Sequence, residues 1–277
     1  MWGDCNHQSV ILVSVKHLLL TALLIAPPAA ASYAARDLVF PIIGRATTAS
    51  GQTYQTSIWL TNMTSKPAIA TIAFLEAGHP NPSPRTMRIA IAPGATRIFD
   101  PLDAPLGAIR VQSNVDLVAT GRIAAAGYAT SFSAIPARFA IGNGQSSVMQ
   151  GYVGAAGQYK LYVVEITGEP LTYSVTVSDM AGHIRAEKRM YIDRNEEMRL
   201  DLAELFPGVD GAAVKIDGFN GNGKIVALGL QRVPGARDAS AFEMSFPTPS
   251  RFAMSFTEGV TYALVALAAI VAALIRR

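Results

Sequence analysis

The sequence predicts an all-β protein of two tandem antiparallel β-sandwiches, followed by one apolar C-terminal helix long enough to cross a membrane. Three observations carry this. Apolar and polar residues alternate with period two in short runs, 23 Gly and 16 Pro punctuate those runs, and five blocks of the first half recur in order in the second. The 277 residues carry 23 Lys and Arg against 20 Asp and Glu, so the net charge is +3 and the charged fraction of 16% is too small for a disordered chain. The cations are dispersed, with no block of five or six like charges, and no nucleic-acid partner is expected.

Residues 1–35 read as an export signal. Lys16 and His17 precede the apolar run Leu18–Ile25, Pro27-Pro28 follows, and Ala29 and Ala31 form an A-x-A pattern with cleavage after Ala31 or near Ala34. An uncleaved anchor is the competing reading. The only cysteine, Cys5, precedes the apolar run, so a cleaved chain has no thiol; disulfides, thiolate nucleophiles and cysteine metal sites are excluded.

The body divides into repeats at 36–142 and 143–247. Met63-Thr64-Ser65-Lys66-Pro67 matches Ile166-Thr167-Gly168-Glu169-Pro170 at an offset of 103 residues, and Ala77-Gly78-His79 matches Ala181-Gly182-His183 at 104. Gly51-Gln52 matches Gly157-Gln158 at 106, Ala108–Val111 matches Ala213–Ile216 at 105, and Leu117–Gly121 matches Ile225–Gly229 at 108. The drift is what short loop insertions produce.

Within each repeat the period is that of strands. Thr172–Ser178 alternates without a break, which puts Tyr173, Val175 and Val177 on one face, and the offset carries them onto Ala70, Ile72 and Phe74. Ile109-Arg110-Val111 and Val214-Lys215-Ile216 alternate likewise with the cation outward. Turn residues at Thr64–Pro67, Ala77–His79, Pro93-Gly94, Ser113-Asn114 and Gly218–Gly223 separate runs of about 8–12 residues, giving six or seven strands per repeat, the count of an Ig-like sandwich. Asp201–Phe206 adds one short helical turn.

The strand Ile58–Asn62, its turn Met63–Pro67, the strand Ala68–Leu75 and Ile91–Thr96 resemble the Ig-like repeats of exported bacterial surface proteins, cell-adhesion-related modules among them. The second repeat departs from them, with Glu165 where Asn62 stands and Arg194-Asn195-Glu196 in place of Pro93-Gly94. The resemblance implies a role in display or adhesion.

Residues 248–258 read as a Pro- and Ser-containing stalk, beginning within Phe246–Arg251. Gly259–Ile275 then runs 17 residues without a charge and reads as a transmembrane helix, closed by a cytoplasmic Arg276-Arg277. A buried core helix is the alternative. This tail resembles the C-terminal sorting tails of exported bacterial surface proteins, without L-P-x-T-G or Pro-Glu-Pro ahead of the helix.

No residue set specifies catalysis, a cofactor or a metal, and no enzyme is expected. His79 and His183 occupy equivalent turns and read as hairpin tips. Asp217–Gly223 invites a calcium reading, but its oxygens stand at positions 1, 4 and 6 and Leu228 takes position 12, so it reads as a loop. Gly78–Pro84, present in the first repeat alone, reads as a rigid connector or a recognition loop. Trp59 aligns with Tyr162; exposure of Trp59, or of Tyr152, Tyr159 and Tyr162 on one face, would favour glycan binding. Asn62-Met63-Thr64 is a formal glycosylation sequon. Asp100, Asp103, Glu196, Glu197 and Asp201 would revive a hydrolase only if two shared a cleft. The halves differ in charge: Arg36–Arg138 holds nine cations and five anions, Lys160–Glu243 ten cations and thirteen anions. The sequence therefore points to a membrane-anchored extracytoplasmic protein, with a protein or a glycan as ligand.

Overall fold

A computed structural model describes residues 33–47, 53–125, 128–154, 158–232 and 239–250. The first half contains β1 (Ala35–Ile43), β2 (Arg45–Thr47), β3 (Thr53–Thr61), β4 (Ala68–Glu76), β5 (Arg85–Ile91), β6 (Thr96–Phe99), β7 (Gly107–Ala125), β8 (Tyr128–Ser133) and β9 (Ile135–Pro136). The second contains β10 (Gln145–Val153), β11 (Gln158–Glu165), β12 (Leu171–Ser178), β13 (Ile184–Ile192), β14 (Glu197–Asp201), β15 (Gly211–Gly221), β16 (Ile225–Arg232), β17 (Ala239–Glu243) and β18 (Thr248–Pro249), with one helical turn α1 (Leu202–Leu205). The protein is all-β, and its described strand ladders are antiparallel.

The pairings of the first half recur in the second. The order β5-β4-β7-β1-β9 is repeated as β13-β12-β15-β10-β18. The second array, β6-β3-β7-β8, is repeated as β14-β11-β16-β17. One difference stands out: β7 runs 19 residues through both arrays of the first half, where the second half uses β15 and β16 with a turn at 222–224 between them.

Alternation sets the faces. On β4, Ala70, Ile72 and Phe74 point into the core, and on β12 Tyr173, Val175 and Val177 do so, as the period-two reading requires. Gly121 and Gly229, kept in both repeats, lie under aromatic rings: a Cβ would stand 2.6 Å from the ring of Phe132 or 1.9 Å from the hydroxyl of Tyr159. The alternation breaks on β11, where Leu161 to Glu165 are all buried. Leu161 and Val163 belong to an apolar cluster of the second half, whereas Tyr162, with Leu228 of β16, belongs to the cluster of the first. Exchange runs both ways, since Val39, Leu75, Ala108 and Ile135 sit in the second half's cluster. A strand buried on both faces needs an unbroken apolar run, and Leu161-Tyr162-Val163-Val164 supplies it. Burying Leu228 at this seam contributes about 1.5–3 kcal/mol.

Several boundaries move. Ala35, at the end of the segment read as a signal, begins β1 opposite Leu117. Thr248 and Pro249, read as stalk, pair with Ser146 and Gln145 on β10, so the sheet extends past residue 247. Asp217–Gly223 is not a loop: Asp217–Gly221 continues β15, because Gly218 and Gly221 let neighbouring backbone approach within 2.3–2.4 Å of where a Cβ would stand. The rest of the signal through residue 32, the stalk beyond residue 250, Gly259–Ile275 and Arg276-Arg277 lie outside the described residues. Among those described, no helix is long and apolar enough to cross a membrane.

Candidate functional site

The residues singled out by sequence do not converge. Gly78 and Gly182 hold φ of 79° and 85°, the conformation the Ala-Gly-His turns require. The histidines that follow are exposed and have local partners: His79 Nε2 lies 3.6 Å from Glu76 Oε2, and His183 Nδ1 lies 3.3 Å from Asp179 Oδ2. The backbone N–H of His183, then that of Ala181, holds the Asp179 carboxyl below the usual carboxylate range. Among the described residues, no group of three or more His, Cys, Asp or Glu is arranged to hold a metal ion.

Tyr159 and Tyr162 are buried on opposite faces of β11, so they do not form an exposed aromatic face; burial pushes both phenols up. The side chain of Tyr152 lies outside the described residues. Trp59 is half-buried on β3, with Ile98 and Thr120 as cross-strand neighbours. The carboxylates have separate structural tasks. Asp100 accepts from the Ser57 hydroxyl, Glu196 from the Asp193 N–H, and Asp201 caps α1 by accepting from the Ala203 N–H. Asp103 is exposed. Asp217 is buried; it accepts from the Ser146 hydroxyl and pairs with Lys215 Nζ at 2.9 Å, the partner of a cation that the alternation turns outward.

The structure brings together other residues, and they lie at the seam. Asn62 and Glu165 are fully buried at equivalent strand ends. Both side-chain oxygens gather the following turn in the same way: Asn62 Oδ1 accepts from the N–H and hydroxyl of Thr64, and Glu165 Oε1 from those of Thr167. The other ends differ. The Asn62 amide donates to the carbonyls of Lys66, Ile91 and Ala92, whereas Glu165 Oε2 accepts from the N–H groups of Gly168 and Asn195 at 2.8 Å each. A carboxylate has no proton to give, so the facing turn must turn N–H groups toward it. The two departures of the second repeat are thus one coupled change, with Asn195 at φ 49° in the place of Gly94 at φ 69°.

Asn195 also faces the first half. The Pro-rich insertion carries Asn81, which is buried and donates from Nδ2 to the carbonyls of Glu76, His79 and Asn195; Asn195 Nδ2 donates back to Asn81 O at 3.2 Å. The backbone adds bonds from Gly78 N to Glu197 O and from Asn81 N to Arg194 O. The insertion is therefore a connector, rigid through Pro and anchored through Asn81. Nearby, Arg110 makes a bidentate pair with Asp37 and donates to the carbonyl of Ile166 across the seam. The Asp37 hydrogen bond raises the arginine further. Glu197 is 1% exposed, with Oε2 lacking a hydrogen-bond partner and lying 3.5 Å from Arg199 Nε. Burial pushes its carboxyl up to about 7, against the pull of Arg199. Beyond this network the seam opens into a cleft of about 290 Å³ between β1–β3 on one side and β11, β14 and β16 on the other.

Sequence reasoning singled out the insertion that holds Asn81 and turned Arg110 outward, but it did not bring either to the second half, and it missed the cleft. The signal for a seam was the apolar run on β11, which demands cover on two faces. Comparison with protein-family models, with curated proteins and with solved structures finds no match.

Proposed function

We propose that this chain is a non-catalytic, membrane-anchored extracytoplasmic protein whose two tandem Ig-like β-sandwich units present surfaces for adhesion or protein–protein interaction. The observation that supports this most is the pair of open edge strands. β5 and β13 end their sheets on equivalent sides, and most of their side chains are exposed. Ile184 and Tyr191 on β13 are 53% and 56% exposed among Arg185, Lys188 and Arg189, and Met180 at the hairpin tip is 95% exposed. Apolar groups ringed by charge suit a protein partner, and an open edge suits strand addition. The two halves are joined through Asn81, Arg110 and Tyr162, so each edge is presented from a common body. The N-terminal segment read as an export signal and the apolar C-terminal run support the anchored, outside placement.

Glycan binding is the second reading, favoured by Trp59, whose half-exposed ring lies beside the hydrogen-bonded hydroxyls of Thr61 and Thr96. The test is cell fractionation with protease shaving, using an epitope inserted between Ala181 and Gly182 at the exposed β12–β13 tip. Membrane-bound, protease-accessible epitope is expected; a soluble cytoplasmic pool would end the anchored reading.

A further inference from the structure

One open edge of the second half departs from its counterpart in the first. β13 pairs with β12 from Leu171↔Ile192 to Ser178↔Ile184, and among the described residues no strand pairs with its other side. Ala186, Lys188 and Met190 stand opposite Val177, Val175 and Tyr173, so all three lie on the core side of the strand. The first half pairs Ile72, the counterpart of Val175, with Met87, which packs partly buried against its own cluster. Lys188 therefore puts an exposed cation on the core side of an open edge, where the repeat has a methionine.

A charge so placed guards the edge, because the unpaired N–H and C=O groups of an edge strand invite any extended chain and an inward charge makes apolar strands poor partners. It also selects. An acidic side chain opposite Lys188 turns the same penalty into a cross-strand ion pair. The neighbouring charges leave Lys188 to this role: Arg189 lies over the Phe219 ring at 5.1 Å, and Glu187, the one acid on the strand, has a partner of its own. Asp179 and Asp193, at the two ends, accept from N–H groups of their own turns. Lys188 and Arg185 form no ion pair among the described residues. The rest of this sequence does not supply an acidic strand either, since residues 1–32 carry one Asp and one Lys, and residues 251–277 three Arg and one Glu. A second copy would bring a β13 with three cations against one acid. The sheet ends in β18 on its far side, four strand spacings or about 19 Å from β13, and the described residues end beside it at Ser250.

We propose that the open edge of β13 takes up an extended segment of a protein partner as a sixth strand of its sheet, with an Asp or Glu of that segment opposite Lys188 and β-branched residues on either side. Backbone hydrogen bonds supply most of the affinity, and the ion pair supplies the choice. A bulge at Arg185 interrupts the ladder, so Ala186–Ile192 is the stretch that a partner follows in register. This rests on the edge-strand reading above and adds the partner's chemistry.

The test is calorimetric titration of the purified full chain with the capped peptide Thr-Val-Thr-Glu-Thr-Val-Thr, carried into the millimolar range. The chain is held in phosphatidylcholine nanodiscs, or in buffer if it proves soluble, and empty discs supply the blank. In antiparallel register the Val, Glu and Val of one peptide face meet Met190, Lys188 and Ala186. The same peptide with lysine in place of glutamate reads the charge, and a third, N-methylated throughout, reads the backbone bonds. The glutamate peptide is expected to bind about fivefold more tightly than the lysine peptide, and the methylated peptide not at all. Lys188→Glu should reverse the order of the first two, while Lys66→Glu, on the first half's exposed turn, leaves it as it was. Unaltered thermal unfolding of each variant shows that it still folds. Equal binding of the glutamate and lysine peptides, or an order unchanged by Lys188→Glu, overturns the acid requirement and leaves the edge-strand reading standing. Binding of neither, or equal binding of the methylated form, ends the edge-strand reading at β13 together with the proposal. A chain that sediments as a dimer and takes up no peptide carries a second copy on that edge, which likewise overturns it.

Discussion

Asn62 and Glu165 close the same turn at the same depth in the two halves, yet one gives hydrogen bonds to the turn that faces it and the other takes them. The side-chain oxygens toward Thr64 and Thr167 act alike, so the difference lies wholly in the second polar group. An amide can be answered by carbonyls of Ile91 and Ala92; a carboxylate must be answered by N–H groups, and Asn195 in a left-handed conformation provides one. A buried polar residue is therefore specified together with the backbone opposite it, and a change at one site is tolerated only with a change at the other.

The comparison is broken most severely at Glu165. Glu165→Ala empties a buried site and leaves the N–H groups of Thr167, Gly168 and Asn195 without their acceptor; it should cost about 3–5 kcal/mol, read as a drop of roughly 10 °C in thermal unfolding. Glu165→Asn alone should rescue little. Combined with Ala-Pro-Gly-Ala at 193–196, the sequence of 92–95, it should recover much of the loss; failure to do so would separate the two departures.

A smaller effect sharpens the difference in cover. Glu197 stands where the first half has Thr96, which is exposed and bonded to Thr61. The raised carboxyl releases its proton near pH 7 when folded and near pH 4.5 when unfolded. The stability it lends is full below about pH 4.5, is lost as pH rises toward 7, and stays lost above. Glu197→Gln should therefore stabilise the chain by about 2 kcal/mol at pH 8 and hardly at all at pH 4, measured by denaturant unfolding at both pH values.

Asn81→Ala should cost about 1–2 kcal/mol through the amide bonds it removes, to the carbonyls of Glu76, His79 and Asn195. A mutant cycle with Asn195→Ala would show coupling, which a merely local loop effect would not. Least of all, His79→Ala and His183→Ala should each change stability by under about 0.5 kcal/mol, because both rings are exposed with weak local partners.

The strand pattern was legible because it repeats. Ala70, Ile72 and Phe74 could be placed by carrying Tyr173, Val175 and Val177 back one repeat, and the structure buries all six. The Ala-Gly-His turns were legible because glycine announces positive φ. The seam was not. Alternation reports which side of a strand is buried against its own partner sheet, and says nothing of a second neighbour; Tyr162 and Leu228 read as ordinary strand residues until the first half covers them. Glu165 was visible as a departure, and Arg194-Asn195-Glu196 as another, but their dependence rests on a hydrogen bond between residues 30 apart. Asp217–Gly221 misled because glycine and asparagine signal turns locally, whereas here glycine serves close backbone approach within β15.

A core held in common also sets an order of events at biosynthesis. The chain emerges from its N-terminus, so residues 35–136 are complete before β11 and β16 arrive to cover Ile42, Ile123 and their neighbours. For that interval the nascent first half shows water an oily flank that the finished protein hides. Holding that flank apart from other chains until roughly another hundred residues follow, at about 5–20 residues per second, is a task lasting several seconds.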